Sequence, residues 1–199
     1  MRLSSWLRSG RSIFVPAGTD QRHRLTPLPK RFLPNRLSVA QLEDRVVLST
    51  FTVNNLADSG LNSLRAAITA ANINPGADVI AFTQGLRGAV ALTSGELGIT
   101  DDLRIDGPGA GRLAVSGSDA SRVFNISSGA AVSIDDLTIT RGHGFLRGGG
   151  ILNAGALTLS GAIVSENVVV GLPGMSADVD PFGGGILNTG TLRDRKSVV

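Results

Sequence analysis

Cysteine is absent from the 199 residues. No disulfide, thiolate zinc site or cysteine nucleophile is therefore available. A protein without disulfides must find rigidity elsewhere, and a long ladder of strand hydrogen bonds is one source. Aromatic residues are scarce, at 4%. This argues against an ordinary globular core and against a stacking platform for nucleic-acid bases. It suits a narrow core filled with Val, Ile, Leu and Ala. Long apolar runs are missing from the N-terminal region, where Ile13-Phe14-Val15 is the longest. That is too short for the apolar stretch of a standard secretory signal or for a membrane-spanning helix.

What is present is glycine, at 26 residues, and only Gly10 and Gly18 precede position 50. The formal charge of +3 hides a similar division. Residues 1–47 carry nine Lys/Arg against three acids, whereas residues 51–192 carry seven Arg against twelve Asp/Glu. The body of the chain is acidic and its basic balance comes from the ends, so no nucleic-acid partner is expected.

A repeat organises the acidic part. The sequence GGGILNAG opens at Gly148, and GGGILNTG opens at Gly183, 35 positions later. A second match joins Val132-Ser133-Ile134 to Leu157-Thr158-Leu159 and runs on to Ser165 at an offset of 25. Periods of a few tens of residues indicate a solenoid. Here the unit is short, alternately apolar and punctuated by glycine, which is the pattern of a coil with three short strands. The longer spacing then equals one coil with about ten further residues. The loop Gly171–Phe182, with Pro173 and Pro181, has room for them.

Read in order, residues 1–50 form a basic leader, broken by Pro16, Pro27, Pro29 and Pro34 and expected to be disordered. Strands are expected at Phe51–Val53 and Val79–Phe82, then at Ala89–Leu92, Leu97–Ile99 and Leu103–Ile105. Others are expected at Leu113–Val115, Val123–Ile126, Val132–Ile134 and Leu137–Ile139. One helix is expected at about 62–72. Asn62 or Ser63 suits its N-cap, Leu64, Ile68 and Ala71 share one apolar face, and Asn72 with Pro75-Gly76 stops it. Such a helix would cover the apolar end of the first coil. The fold class is thus all-β: a right-handed single-stranded parallel β-helix, a pectate-lyase-like solenoid, over residues 51–192 with a short N-terminal capping helix. Residues 193–199 interrupt the apolar alternation. They are expected to be a truncated or non-native end, with a polar capping tail as the other reading.

Several segments support a family resemblance. They are Asp58-Ser59-Gly60, Ser63-Leu64-Arg65-Ala66-Ala67-Ile68, Ala71-Asn72 and Pro75–Phe82, together with Ile105–Gly111 and Gly148–Ile151. On these the chain resembles bacterial right-handed parallel β-helix proteins that begin with a CSLREA-type segment and, more loosely, chlamydial polymorphic outer-membrane proteins. The family's Cys position is Asn62 here, and its Glu is Ala66 or Ala67, so any role tied to that Cys is absent. Gln41–Ser49 is similar to the segment that closes the N-terminal region of many surface proteins of planctomycete bacteria. These resemblances imply an exported protein, secreted or at the outer membrane or cell surface, with a structural or adhesive role. They imply no defined activity. Polysaccharide or other cell-surface components are the expected partners.

No residue is assigned a catalytic role. Asp101, Asp102, Asp106, Asp135 and Asp136 are the acids available to a polysaccharide lyase or glycoside hydrolase, the alternative function. Glycoside hydrolysis needs two carboxylates facing each other, whereas neighbours in a strand point to opposite faces. Solvated turn acids are the simpler reading. No cofactor is expected; Asp178 and Asp180 are the only candidates for calcium. Asn153, Asn167 and Asn188 read as turn residues and as stacked side chains bonded from coil to coil. Gly148–Gly150 and Gly183–Gly185 lack the Lys-Ser/Thr of a phosphate loop and read as tight turns with close backbone approach. His143 reads as a residue of a Gly-rich turn, His23 lies in the leader, and no Ser/His/Asp spacing suggests a triad.

Overall fold

A computed structural model describes residues 48–171 and 183–199. The leader through Val47, with His23, and Asp178 and Asp180 lie outside the described residues. The chain winds through three sheets in turn. The first holds β1 (Thr50–Val53), β2 (Asp78–Phe82), β5 (Leu103–Asp106), β8 (Ala131–Asp135), β12 (Ala156–Ser160) and β16 (Thr191–Arg195), in that order. The second holds β3 (Gly88–Ala91), β6 (Leu113–Ser116), β9 (Thr138–Thr140) and β13 (Ile163–Ser165). The third holds β4 (Leu97–Ile99), β7 (Phe124–Ile126), β11 (Ile151–Asn153) and β15 (Ile186–Asn188). All paired strands are parallel. The result is a right-handed parallel β-helix of about five coils.

The two sequence offsets are strand registers. Leu157 lies opposite Val132 and Ile163 opposite Thr138, 25 residues apart in each case. Ile151 lies opposite Ile186 and Asn153 opposite Asn188, 35 apart. Alternation sends one side of each strand inward, so like residues stack from coil to coil. Ile80, Ile105, Ile134 and Leu159 form one fully buried column. Val90, Val115, Ile139 and Val164 form a second, and Leu97, Phe124 and Ile151 a third. Each such side chain contributes about 1.5–3 kcal/mol by leaving water. The core is aliphatic, with Phe124 its one fully buried aromatic among the described residues.

The helix α1 spans Leu64–Ala71. The Ser63 hydroxyl caps it, accepting the Ala66 N–H at 3.2 Å and donating to the Gly60 carbonyl at 2.8 Å. Leu64, Ala67, Ile68 and Ala71 are buried, and the helix packs on β1, β2 and β4. Asn72 ends it in ordinary helical geometry, with φ −62°. Its side chain clamps the third sheet, donating to the Gly98 carbonyl at 2.9 Å and accepting the Thr100 N–H at 2.9 Å.

Several strands go beyond the sequence reading, β16 through Arg195 among them. β10 (His143–Phe145) and β14 (Val168–Val170) pair in parallel as a separate ribbon between the second and third sheets. His143 therefore opens a strand rather than sitting in a turn. Left-handed residues sharpen the corners: Asp136 and Lys196 (φ 51° and 59°) match Gly161 (φ 60°) after the first sheet. Arg141 and Glu166 (φ 50° and 56°) turn the chain after the second. At the C-terminal end β16 pairs with β12 over Thr191–Arg195, and Val198 bridges to Ile163. Among the described residues no helix is long and apolar enough to cross a membrane, which says nothing of a β-barrel.

Candidate functional site

The outer face of the first sheet gathers charged and hydroxyl side chains. Leu103 and Ile105 of β5 point inward, so Arg104 and Asp106 point outward. Register then builds two outward columns. Arg104, Ser133, Thr158 and Arg193 form one; Asp106, Asp135, Ser160 and Arg195 form the other. Successive members are separated by the strand spacing of about 4.8 Å.

Arg104 joins the two columns. Its Nε lies 3.1 Å from Asp135 Oδ2, and its Nη2 lies 3.5 Å from Asp106 Oδ1. Ser133 Oγ donates to Asp135 Oδ1 at 3.2 Å. Asp135 is largely covered, with 15% of its side chain exposed, whereas Asp106 is 51% exposed. A groove of about 470 Å³ runs beside Arg104, Ser133 and Thr158 over the small side chains of Ala131 and Ala156. On the other side a polar groove of about 350 Å³ is bordered by Asp106, Asp135, Ser160 and Arg195. This face offers charges of both signs and hydroxyls at a regular step, suited to hydrogen-bonding an extended polar polymer. Asp106 and Asp135 are brought together, but the guanidinium bridges them, so they do not face one another across a free gap.

The remaining acids have structural partners. Asp102 Oδ1 accepts the Ala131 N–H at 2.7 Å, tying one coil to the next, and Asp101 Oδ1 accepts the Asp102 N–H at 2.8 Å. Asp136 turns a corner in the left-handed conformation. Asp101, Asp102 and Asp136 therefore do not converge with Asp106 and Asp135 into one acidic centre. Among the described residues no group of three or more His, Asp or Glu side chains is placed to hold a metal ion. His143 packs edge-on against Phe145, with ring centroids 5.1 Å apart.

The asparagines and glycines serve the stacking. Asn153 is fully buried and donates to Asn188 Oδ1 at 2.6 Å and to the Thr191 carbonyl at 2.9 Å. Asn167 accepts the Gly142 N–H at 2.7 Å and donates to the Ile139 carbonyl at 3.0 Å. Gly150 lies so close to the next coil that a Cβ would fall 2.6 Å from the Gly185 carbonyl oxygen and 2.8 Å from Asn167 Cγ. The GGG segments are therefore the close crossing of successive coils.

Two features escaped the sequence reading. The first is the Arg104 bridge. The alternation Leu103-Arg104-Ile105-Asp106 signals two outward charges, but nothing local identifies Asp135 as their neighbour. The second is the latch of Asp58 and Arg65 beneath the capping helix. Arg65 Nη2 lies 2.7 Å from Asp58 Oδ1, and Arg65 donates to the Gly95 and Glu96 carbonyls at 2.6 and 3.0 Å. Asp58 Oδ2 accepts the Thr93 and Ser94 N–H groups at 3.1 and 2.8 Å. Burial alone would raise the Asp58 pKa; the bonds from Ser94, Arg65 and Thr93 outweigh it and hold the group at about 2. On the surface, the hydrogen bond from Arg141 draws the Asp119 carboxyl below its usual range.

Fold and face together define a parallel β-solenoid with a capped first coil and a charged, hydroxyl-bearing outer sheet. No family model matches the chain, and no curated protein or solved structure matches it.

Proposed function

We propose that the protein is an exported solenoid, secreted or held at the outer membrane or cell surface, with a structural or adhesive role. One observation carries this reading: many polar side chains of the solenoid are committed to holding its coils together. Asn153, Asn167 and Asp102 bond to neighbouring coils, and Asp58 bonds across to the β3–β4 turn. Repeats stacked in this way build the extended surfaces that solenoid proteins use to meet partners. The basic leader and the resemblance to CSLREA-type and polymorphic outer-membrane proteins support export. The test is location. An epitope-tagged copy in the native host is expected in the medium or exposed to protease on intact cells. Retention in the cytoplasm overturns the reading.

A second reading is favoured by the outer face of the first sheet: a polysaccharide-binding or polysaccharide-degrading protein. Arg104, Asp106 and Asp135 lie together there with Ser133, Thr158 and Ser160. Incubation with polygalacturonate and other acidic glycans separates the two. Depolymerisation lost on Asp106→Ala or Asp135→Ala establishes an enzyme. Retention on the glycan without cleavage, lost on Arg104→Ala, establishes a binding protein.

A further inference from the structure

We draw no further inference here: the strongest candidate beyond the face already described, the apolar cavity of about 480 Å³ at the C-terminal end of the solenoid between Leu159, Val164, Ile186 and Leu192, carries nothing because nothing in the structure shows what covers it.

Discussion

Asn153 and Asn188 stand 35 residues apart in sequence and 2.6 Å apart in space, side-chain amide to side-chain carbonyl. Asn153 also accepts the Gly155 N–H at 3.1 Å, so its amide is bonded both within its own corner and to the next. A buried amide of this kind is valuable less for each bond than for what its loss would strand. Asn153→Ala is expected to destabilise the fold by about 1–3 kcal/mol, because a fully buried amide is lost together with its bonds to Gly155, Asn188 and Thr191. Asn188→Ala, at an exposed position, is expected to cost about 1 kcal/mol or less. Urea unfolding of the two variants provides the measurement; equal costs would remove the Asn153 corner from the list of stabilising features.

Glycine is required at Gly150 and dispensable at Gly98. Gly150→Ala places a methyl against the backbone of the following coil, and overpacking of that kind costs about 1–3 kcal/mol or more. At Gly98 an added Cβ meets nothing within 4 Å. Gly98→Ala is expected to be neutral or to stabilise by about 0.5 kcal/mol through the unfolded chain. Thermal midpoints of the pair decide the matter, and a stable Gly150→Ala variant would contradict the crossing geometry.

The Asp58 latch predicts a pH dependence with a definite sign. The carboxyl titrates at about 2 in the folded protein and near 3.9 when unfolded. Only 7% of its side chain is exposed. Its contribution, about 2 kcal/mol, is therefore fully present above the unfolded value and is lost as pH falls from about 4 through about 2. Asp58→Asn is expected to lower stability near neutrality, with the gap to the parent protein shrinking as pH falls toward about 2 and closing below it. Urea midpoints taken across that range test this, and a gap that persists undiminished in acid would rule the latch out as its source.

Asp78 predicts an asymmetry between two substitutions. It is 1% exposed, and its Oδ1 accepts from Ser49 N–H at 3.2 Å and from Asn74 Nδ2 at 2.8 Å. Its Oδ2 is buried without a hydrogen-bond partner among the described residues. Asp78→Asn keeps the Oδ1 acceptor for both donors but puts amide N–H groups where Oδ2 has no partner, so it is expected to cost about 1 kcal/mol, less than removal of the acceptor. Asp78→Ala strands both donors and is expected to cost about 1–3 kcal/mol. Calorimetric comparison of the two is the check; the reverse order would show that the Oδ1 acceptor is not what stabilises this site.

The coil architecture was legible because inward stacking leaves an unmistakable trace. The GGGILN repeat and the Val132/Leu157 offset reappear as pairings in the third and first sheets. The capping helix was legible from Ser63 and the Leu64, Ile68, Ala71 face, since both signals are local. β10 and β14 were not. Gly144 replaces a side chain in the middle of β10, and the charged residues before these strands, Arg141 and Glu166, give no hint that they sit in left-handed corners. The outer face was half legible. Alternation gives the direction of Arg104, but its meeting with Asp135 depends on a coil in which Leu103 pairs with Val132 across the Gly107–Gly111 turns. Turn length is set by backbone geometry that the period alone does not encode.

The register of the last coils has a consequence for how such a chain changes over time. Ile151 pairs with Phe124, 27 residues back, and with Ile186, 35 residues on, yet all three occupy the same place in the cross-section. Strand position is therefore indifferent to the number of residues between one rung and the next. Segments can lengthen or shorten there while the stacked interior keeps its alignment. Novelty can accumulate at the bends of this molecule, and the rungs need take no part in it.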